Sequence, residues 1–184
     1  QAFEYNGTDN LVVDINVTAA TESNLMEMNS SGASSRARGS SATVDGVDNA
    51  QYSIKLRFTG GTASVITAGD YNYGLPYNEA NGSQVQNLYR SCETGLFGTV
   101  EKMGFRLQND SSADTYRNFS IVVGHTADII LGTGVAFADN MDNPVTVFSG
   151  TAKVPAGFKA GDWIDIKLSK PFLSDPSKNL AVYI

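Results

Sequence analysis

His125 is the only histidine in this 184-residue chain, so any nucleophile–imidazole pair or imidazole-bound metal would have to use it. It closes the apolar run Phe119-Ser-Ile-Val-Val-Gly-His-Thr126. At a strand end of that kind a hydrogen-bonded structural histidine is the preferred reading. Ser149, ahead of Gly150, and Cys92, the single cysteine, have no base beside them in sequence, so acyl transfer is not expected. No pair of carboxylates is spaced as a glycoside-hydrolysis motif. One cysteine forms no intrachain disulfide and argues against a thiolate metal site. Asp139-Asn-Met-Asp142-Asn143 gathers oxygen donors suited to calcium, with Asp139 and Asp142 as the candidate ligands. That run lacks the spacing of a recognised calcium loop, and Asn/Asp runs commonly make turns. No other cofactor is indicated, and the expectation is a protein without catalysis.

Binding chemistry is richer. Tyr71, Tyr73 and Tyr77 lie in Asp70-Tyr-Asn-Tyr-Gly-Leu-Pro-Tyr77, where apolar ring faces beside Asn and Asp suit a sugar ring. The competing reading packs those rings over a sheet edge. Trp163 opens an alternating strand and reads as core or rim packing. Six of fifteen asparagines sit in Asn-X-Ser/Thr sequons: Asn6, Asn16, Asn29, Asn81, Asn109 and Asn118. They point to a glycosylated surface protein, although loops rich in Ser, Thr and Asn generate sequons by composition alone.

The elements that must position these residues are short strands. Hydrophobic residues make up 41% and charged residues 17% of the chain, a folded and weakly charged composition long enough for one substantial core. A net charge of −6 opposes nucleic acid, because phosphate binding needs a basic stripe. No apolar run reaches the roughly 20 residues of a membrane span, and no charged-then-apolar leader is present. A signal peptide, if one existed, has been removed, and the sequons make the expected location secreted, extracellular or at the cell surface.

Alternation with period two recurs along the chain. It marks residues 11–17, 52–58 (Ile54, Leu56 and Phe58 on one face), 99–107 (Met103, Phe105 and Leu107 in step), 145–148, 163–168 and 179–184. Residues 118–123 are more uniformly apolar. Linkers rich in Gly, Asn, Asp and Ser supply turns. Residues 20–28 have room for a short helical turn, residues 29–51 read as a flexible loop with Arg36 and Arg38 as protease-accessible sites, and Gly60–Gly61 reads as a hinge. The resulting fold class is all-β, a jelly-roll-like antiparallel sandwich.

The chain also repeats itself. Residues 1–15, QAFEYNGTDNLVVDI, match residues 170–184, KPFLSDPSKNLAVYI, at an offset of 169. Phe3/Phe172, Asn10/Asn179, Leu11/Leu180, Val13/Val182 and Ile15/Ile184 are identical, with Val12 lying between the matched positions. A repeat of this kind decides the architecture before anything else. One domain has use for one copy of such a strand, so the second copy points to a tandem array or to a strand lent to a neighbour.

From Leu88 onward the chain resembles a β-sandwich module of large secreted bacterial multidomain proteins. The resemblance rests on Leu88-Tyr89 with Glu93, the strand from Gly98 to Phe105, Gly124-His125-Thr126, Val147-Phe148-Ser149-Gly150, and Gly161, Trp163, Ile166, Leu168, Pro171, Phe172, Asn179, Leu180 and Val182. These are packing motifs, silent on activity. Residues 129–142 lack the aromatic-rich stretch of those modules, and Leu-Ser-Asp-Pro-Ser at 173–177 replaces their usual turn. The resemblance implies that residues 1–60 are the end of one module and residues 61–184 the front of the next, and the repeat makes 1–15 the expected donated strand.

The expected function is a non-enzymatic structural subunit or repeat on the cell surface. It would assemble head to tail into a filament or array with copies of itself by strand exchange. The strand-exchange residues are Phe3, Leu11, Val12, Val13, Ile15, Phe172, Leu180, Val182 and Ile184, and Phe3 with residues 11–15 is expected to enter a different protomer. A carbohydrate-binding or adhesive module with glycan partners is the alternative.

Overall fold

A computed structural model describes residues 10–17, 19–20, 24–29, 35–39, 43–48, 51–66, 71–75, 83–90, 98–174 and 179–184. Among these the chain forms β1 (Asn10–Val17), β2 (Ala19–Ala20), β3 (Asn24–Asn29), β4 (Ser35–Gly39), β5 (Gly46–Asp48), β6 (Gln51–Tyr52), β7 (Ile54–Phe58), β8 (Ala63–Ile66), β9 (Tyr71–Leu75) and β10 (Ser83–Tyr89). It continues with β11 (Gly98–Arg106), β12 (Asp114–Thr126), β13 (Asp142–Val154), β14 (Trp163–Ser174) and β15 (Leu180–Tyr183). The one helical element in the described residues is a single 3-10 turn, Phe137–Asn140. The fold is all-β, and its strand pairings are antiparallel.

The larger sheet runs from β13 through β12 and β10 to β4 and β5, with β1, β2 and β15 also paired to its strands. A second sheet has the order β14-β11-β7-β8, and a third is β6-β3-β9. Period-two patterning explains the packing of the first two. Ile54, Leu56 and Phe58 of β7, Met103 and Phe105 of β11, and Ile164, Leu168 and Phe172 of β14 meet Val85, Tyr116, Phe119, Ile121, Val123 and Val147 of the larger sheet. Each fully buried side chain of this size contributes about 1.5–3 kcal/mol. On β14 the intervening Asp165 and Lys167 are exposed, the half-solvated face of an antiparallel sheet. Ser169 Oγ donates to Val147 O across 2.9 Å and ties edge strand β14 to edge strand β13.

The larger sheet is covered on its other face as well. Residues 127–141 fold over it, and Leu131, Phe137 and Met141 pack with Ala37, Val44, Leu88, Ala181 and Tyr183. Gly132 N–H donates to Asn140 Oδ1 at 2.9 Å, Asn140 Nδ2 donates to Gln86 Oε1 at 2.9 Å, and Gln86 Nε2 donates to Phe137 O at 3.0 Å. These bonds fasten the covering loop to β10. Ile129 and Ile130, at the loop's tip, are exposed.

Three sequence expectations change. Residues 20–28 are expected to hold a helical turn; Ala20 instead pairs with Tyr116 of β12 in β2, and residues 24–28 pair with β9 in β3, where extended pairing outweighs the weak helical spacing. Residues 29–51, expected to be loop, contain β4 and β5. There Arg36, opposite Asp48 in the ladder, is 1% exposed and donates from Nε to Asp48 Oδ1 at 3.0 Å and from Nη2 to Oδ2. An ion pair holds together what composition marks as loop, and it removes Arg36 from proteases. Gly60 and Gly61, expected as a hinge, form the tight β7–β8 turn. Their φ values are 90° and 88°, and Gly61 N–H donates to Phe58 O at 3.1 Å, a geometry glycine adopts without steric cost. That hairpin spans the 60/61 boundary.

Candidate functional site

The most informative site is the space between β10 and β12. Neighbouring strands lie about 4.8 Å apart, so a gap between two strands of one sheet takes a single inserted strand. β15 pairs with both walls. Tyr89, Leu88, Asn87 and Gln86 of β10 oppose Leu180, Ala181, Val182 and Tyr183, and Gly124, Val123 and Val122 of β12 oppose Ala181, Val182 and Tyr183. Val85 and Ile184 extend the ladder by exchanging both backbone hydrogen bonds.

β1 pairs with the same two walls. Val12, Val13, Asp14 and Ile15 oppose Leu88, Asn87, Gln86 and Val85 on β10, and Gly124, Val123, Val122 and Ile121 on β12. Val12 therefore has the register position of Ala181, Val13 that of Val182, and Asp14 that of Tyr183. The offset is 169 residues, the offset of the sequence repeat. The other edge of β10 is taken by β4 and the other edge of β12 by β13. β1 and β15 thus share one slot.

The slot is built for an apolar strand. Leu180, Ala181, Val182, Tyr183 and Ile184 are all buried. Leu180, Val182 and Ile184 join the main core, while Ala181 and Tyr183 join the cluster under residues 127–141. Asn87 and Tyr89 of the β10 wall are bonded within the fold. Asn87 Nδ2 donates to Val182 O at 3.4 Å, its Oδ1 accepts from Tyr52 N–H at 3.3 Å, and Tyr89 OH donates to Tyr52 O at 2.8 Å. On the covered face Tyr183 stacks on Phe137 with centroids 4.4 Å apart, and its hydroxyl donates to Gln84 Oε1. Gly124 faces Met141 so closely that an added Cβ would lie 2.8 Å from Met141 Cβ.

The expected exchange residues divide accordingly. Leu11, Val12, Val13 and Ile15 fall on β1 and Leu180, Val182 and Ile184 in the slot, while Phe172 is buried on β14 in the core. Phe3 lies outside the described residues. Sequence reading found the occupants through their repeat and missed the walls. Gln84, Gln86 and Phe137 share no local pattern, Leu88 and Gly124 showed only as parts of packing motifs, and Asn140 and Met141 only within the Asp139–Asn143 run.

The other candidates are dispersed. His125 is 4% exposed, and burial pushes its pKa down to about 3, so the ring is neutral near pH 7. Its backbone partner in β13 is Asp142. Asp139 is exposed and accepts from Ala136 N–H at 3.2 Å as a turn cap; Asp142 is exposed at the start of β13. Among the described residues no three His, Cys, Asp or Glu side chains converge as a metal site. Tyr71 and Tyr73 are two apart on β9, opposite Met28 and Met26 of β3; Tyr77 lies outside the described residues, as does Cys92. Ser149 is exposed on β13. Trp163 is half-buried, and Lys55 Nζ lies 4.7 Å from its ring centroid. Asn109 and Asn118 are exposed, Asn16 and Asn29 fall on β1 and β3, and Asn6 and Asn81 lie outside the described residues. Among the described residues no helix is long and apolar enough to cross a membrane. Comparison of the chain with protein-family models, with curated proteins and with solved structures finds no match.

Proposed function

We propose that this chain is a non-enzymatic structural subunit or repeat that assembles with copies of itself, head to tail, by exchanging a strand at the β10–β12 slot. The observation that carries this reading is the shared register of β1 and β15. Among the described residues one slot has two strands that fit its register, so one strand is surplus. An unplaced apolar strand exposes N–H and C=O groups that recruit other chains, and strand addition to a neighbour's slot satisfies them. Such a contact joins unlike surfaces, so it propagates into a filament unless it closes into a ring. A jelly-roll-like sandwich at an extracellular surface is the setting this reading implies, and exposed sequons at Asn109 and Asn118 suit it.

Intermolecular cross-linking tests it. In a Cys92→Ser background, Val123→Cys chains are mixed with chains carrying Val13→Cys or Val182→Cys, since Val123 opposes both positions. Exchange yields a disulfide between the two kinds of chain under mild oxidation, together with assemblies that grow with concentration by light scattering. Monomers at high concentration with no mixed disulfide would rule the reading out.

A further inference from the structure

The two copies that share the slot are alike on one face and different on the other. Leu180, Val182 and Ile184 join the main core, and the repeat puts the same residue types, Leu11, Val13 and Ile15, at the corresponding positions, so these positions do not distinguish the copies. Ala181 and Tyr183 join the covered cluster, and β1 has Val12 and Asp14 at their register positions, opposite Leu88 with Gly124 and Gln86 with Val122. We propose that this second face ranks the occupants: segment 179–184 is the tight ligand of the slot, and β1 is a displaceable placeholder.

Two contacts carry the ranking. At the first position Gly124 has Met141 pressed against it, and Ala181 is fully buried beside Leu88 and Met141. Valine adds two methyl groups where packing leaves little free volume. At the second position the Tyr183 ring stacks on Phe137 and its hydroxyl reaches Gln84. The surrounding Ala37, Val44, Leu131 and Met141 form an apolar cluster. An aspartate in that register position forfeits the stacked ring and brings a carboxylate among apolar side chains, which favours leaving the slot. β1 has a compensation: its pairing continues at Asn16 and Val17, and β2 adds Ala19 and Ala20 against Arg117 and Tyr116. Backbone pairing of that kind is independent of side-chain identity, so it lets β1 hold the slot without making it the better fit.

This ranking rests on the strand-exchange reading and gives it a direction. A segment 179–184 gains by displacing β1, whereas β1 gains nothing by displacing segment 179–184. The strand that passes between chains is therefore the C-terminal copy of a second molecule, entering a slot held until then by β1. Sequence alone had suggested the N-terminal copy as the donor.

Hydrogen exchange on the intact chain, read by mass spectrometry, reports which segment is in the slot. Amides of 180–184 should exchange at least about tenfold more slowly than those of 11–15. The double variant Asp14→Tyr with Tyr183→Asp should reverse the order. Protection across β11 and β14, which form the opposite sheet, checks that each variant is folded. Greater or equal protection of 11–15 in the unaltered chain, or no reversal in a folded double variant, overturns the ranking. A monomer that protects 180–184 over 11–15 sinks exchange and leaves the ranking standing. A polymer that protects 11–15 does the opposite.

Discussion

Arg36 and His125 show how single side chains decide local structure here. Arg36 is 1% exposed and is compensated by both carboxylate oxygens of Asp48, with Arg38 Nε 3.7 Å from Oδ2. Removing Arg36 leaves Asp48 a third exposed and still near Arg38, so the loss is about 1–3 kcal/mol. Arg36→Ala should lose stability on that scale in urea unfolding, and it should open residues 35–48 to trypsin at Arg38. A loss below about 1 kcal/mol would show the pair to be solvated. His125 acts through pH. Its folded pKa is lowered to about 3 by burial, while in the unfolded chain it titrates near pH 6.5. Between those values the unfolded state binds the extra proton, so the stability is full above about pH 6.5 and declines as pH falls towards 3. The urea midpoint of the unaltered chain should drop more steeply than that of His125→Gln from pH 6.5 to pH 4. Parallel curves would place the ring in a more polar site.

At the scale of elements, β11 holds the second sheet together because it has no side chain at Gly104. Lys55, Gly104 and Asp165 stand side by side on β7, β11 and β14. Lys55 Nζ reaches Asp165 Oδ1 at 3.2 Å across the glycine, and Arg57 Nε donates to the other oxygen. Burial lowers the Lys55 pKa, and the Asp165 carboxylate opposes that shift. A Cβ on Gly104 would lie 2.6 Å from Asp165 Oδ1 and 3.1 Å from Lys55 Cε. Gly104→Ala should therefore separate the pair and lift Lys55 off Trp163, at about 1–3 kcal/mol, visible as a lower urea midpoint and altered tryptophan emission. An unchanged midpoint and spectrum would mean that the bridge is dispensable.

At the scale of the whole molecule, the slot is the feature through which one chain can depend on another. A sheet whose central strand is replaceable exchanges that strand at no loss of contacts, since each slot ends with one occupant. Under the proposed exchange, cis occupation by β15 and trans occupation by a neighbour's β15 would make the same ladder, so concentration would set the balance between them. Placeholder occupation by β1 would keep the slot closed until such a strand arrives.

How much of this was written in the chain follows from the range of each interaction. Strand positions and the identity of the core face were legible: Ile54, Leu56 and Phe58, Met103, Phe105 and Leu107, and Ile164 with Leu168 are buried as their alternation predicts, because a pleated strand turns successive side chains to opposite faces. The repeat was legible too, because identity at a fixed offset needs no knowledge of folding. The strands β4 and β5 were not, because their cohesion comes from Arg36 and Asp48, twelve residues apart in a stretch of loop-like composition. Nor was the single slot. That two strands 169 residues apart claim the same walls depends on β10 and β12 being one strand's width apart. Phe137 and Met141 stand beside Gly124 at the slot only because the loop over the sheet brings them there. Sequence alone determined which segments are strands and that one of them occurs twice; tertiary structure decided that both fit one place, because pairing across a sheet is set by spatial neighbours rather than by local pattern.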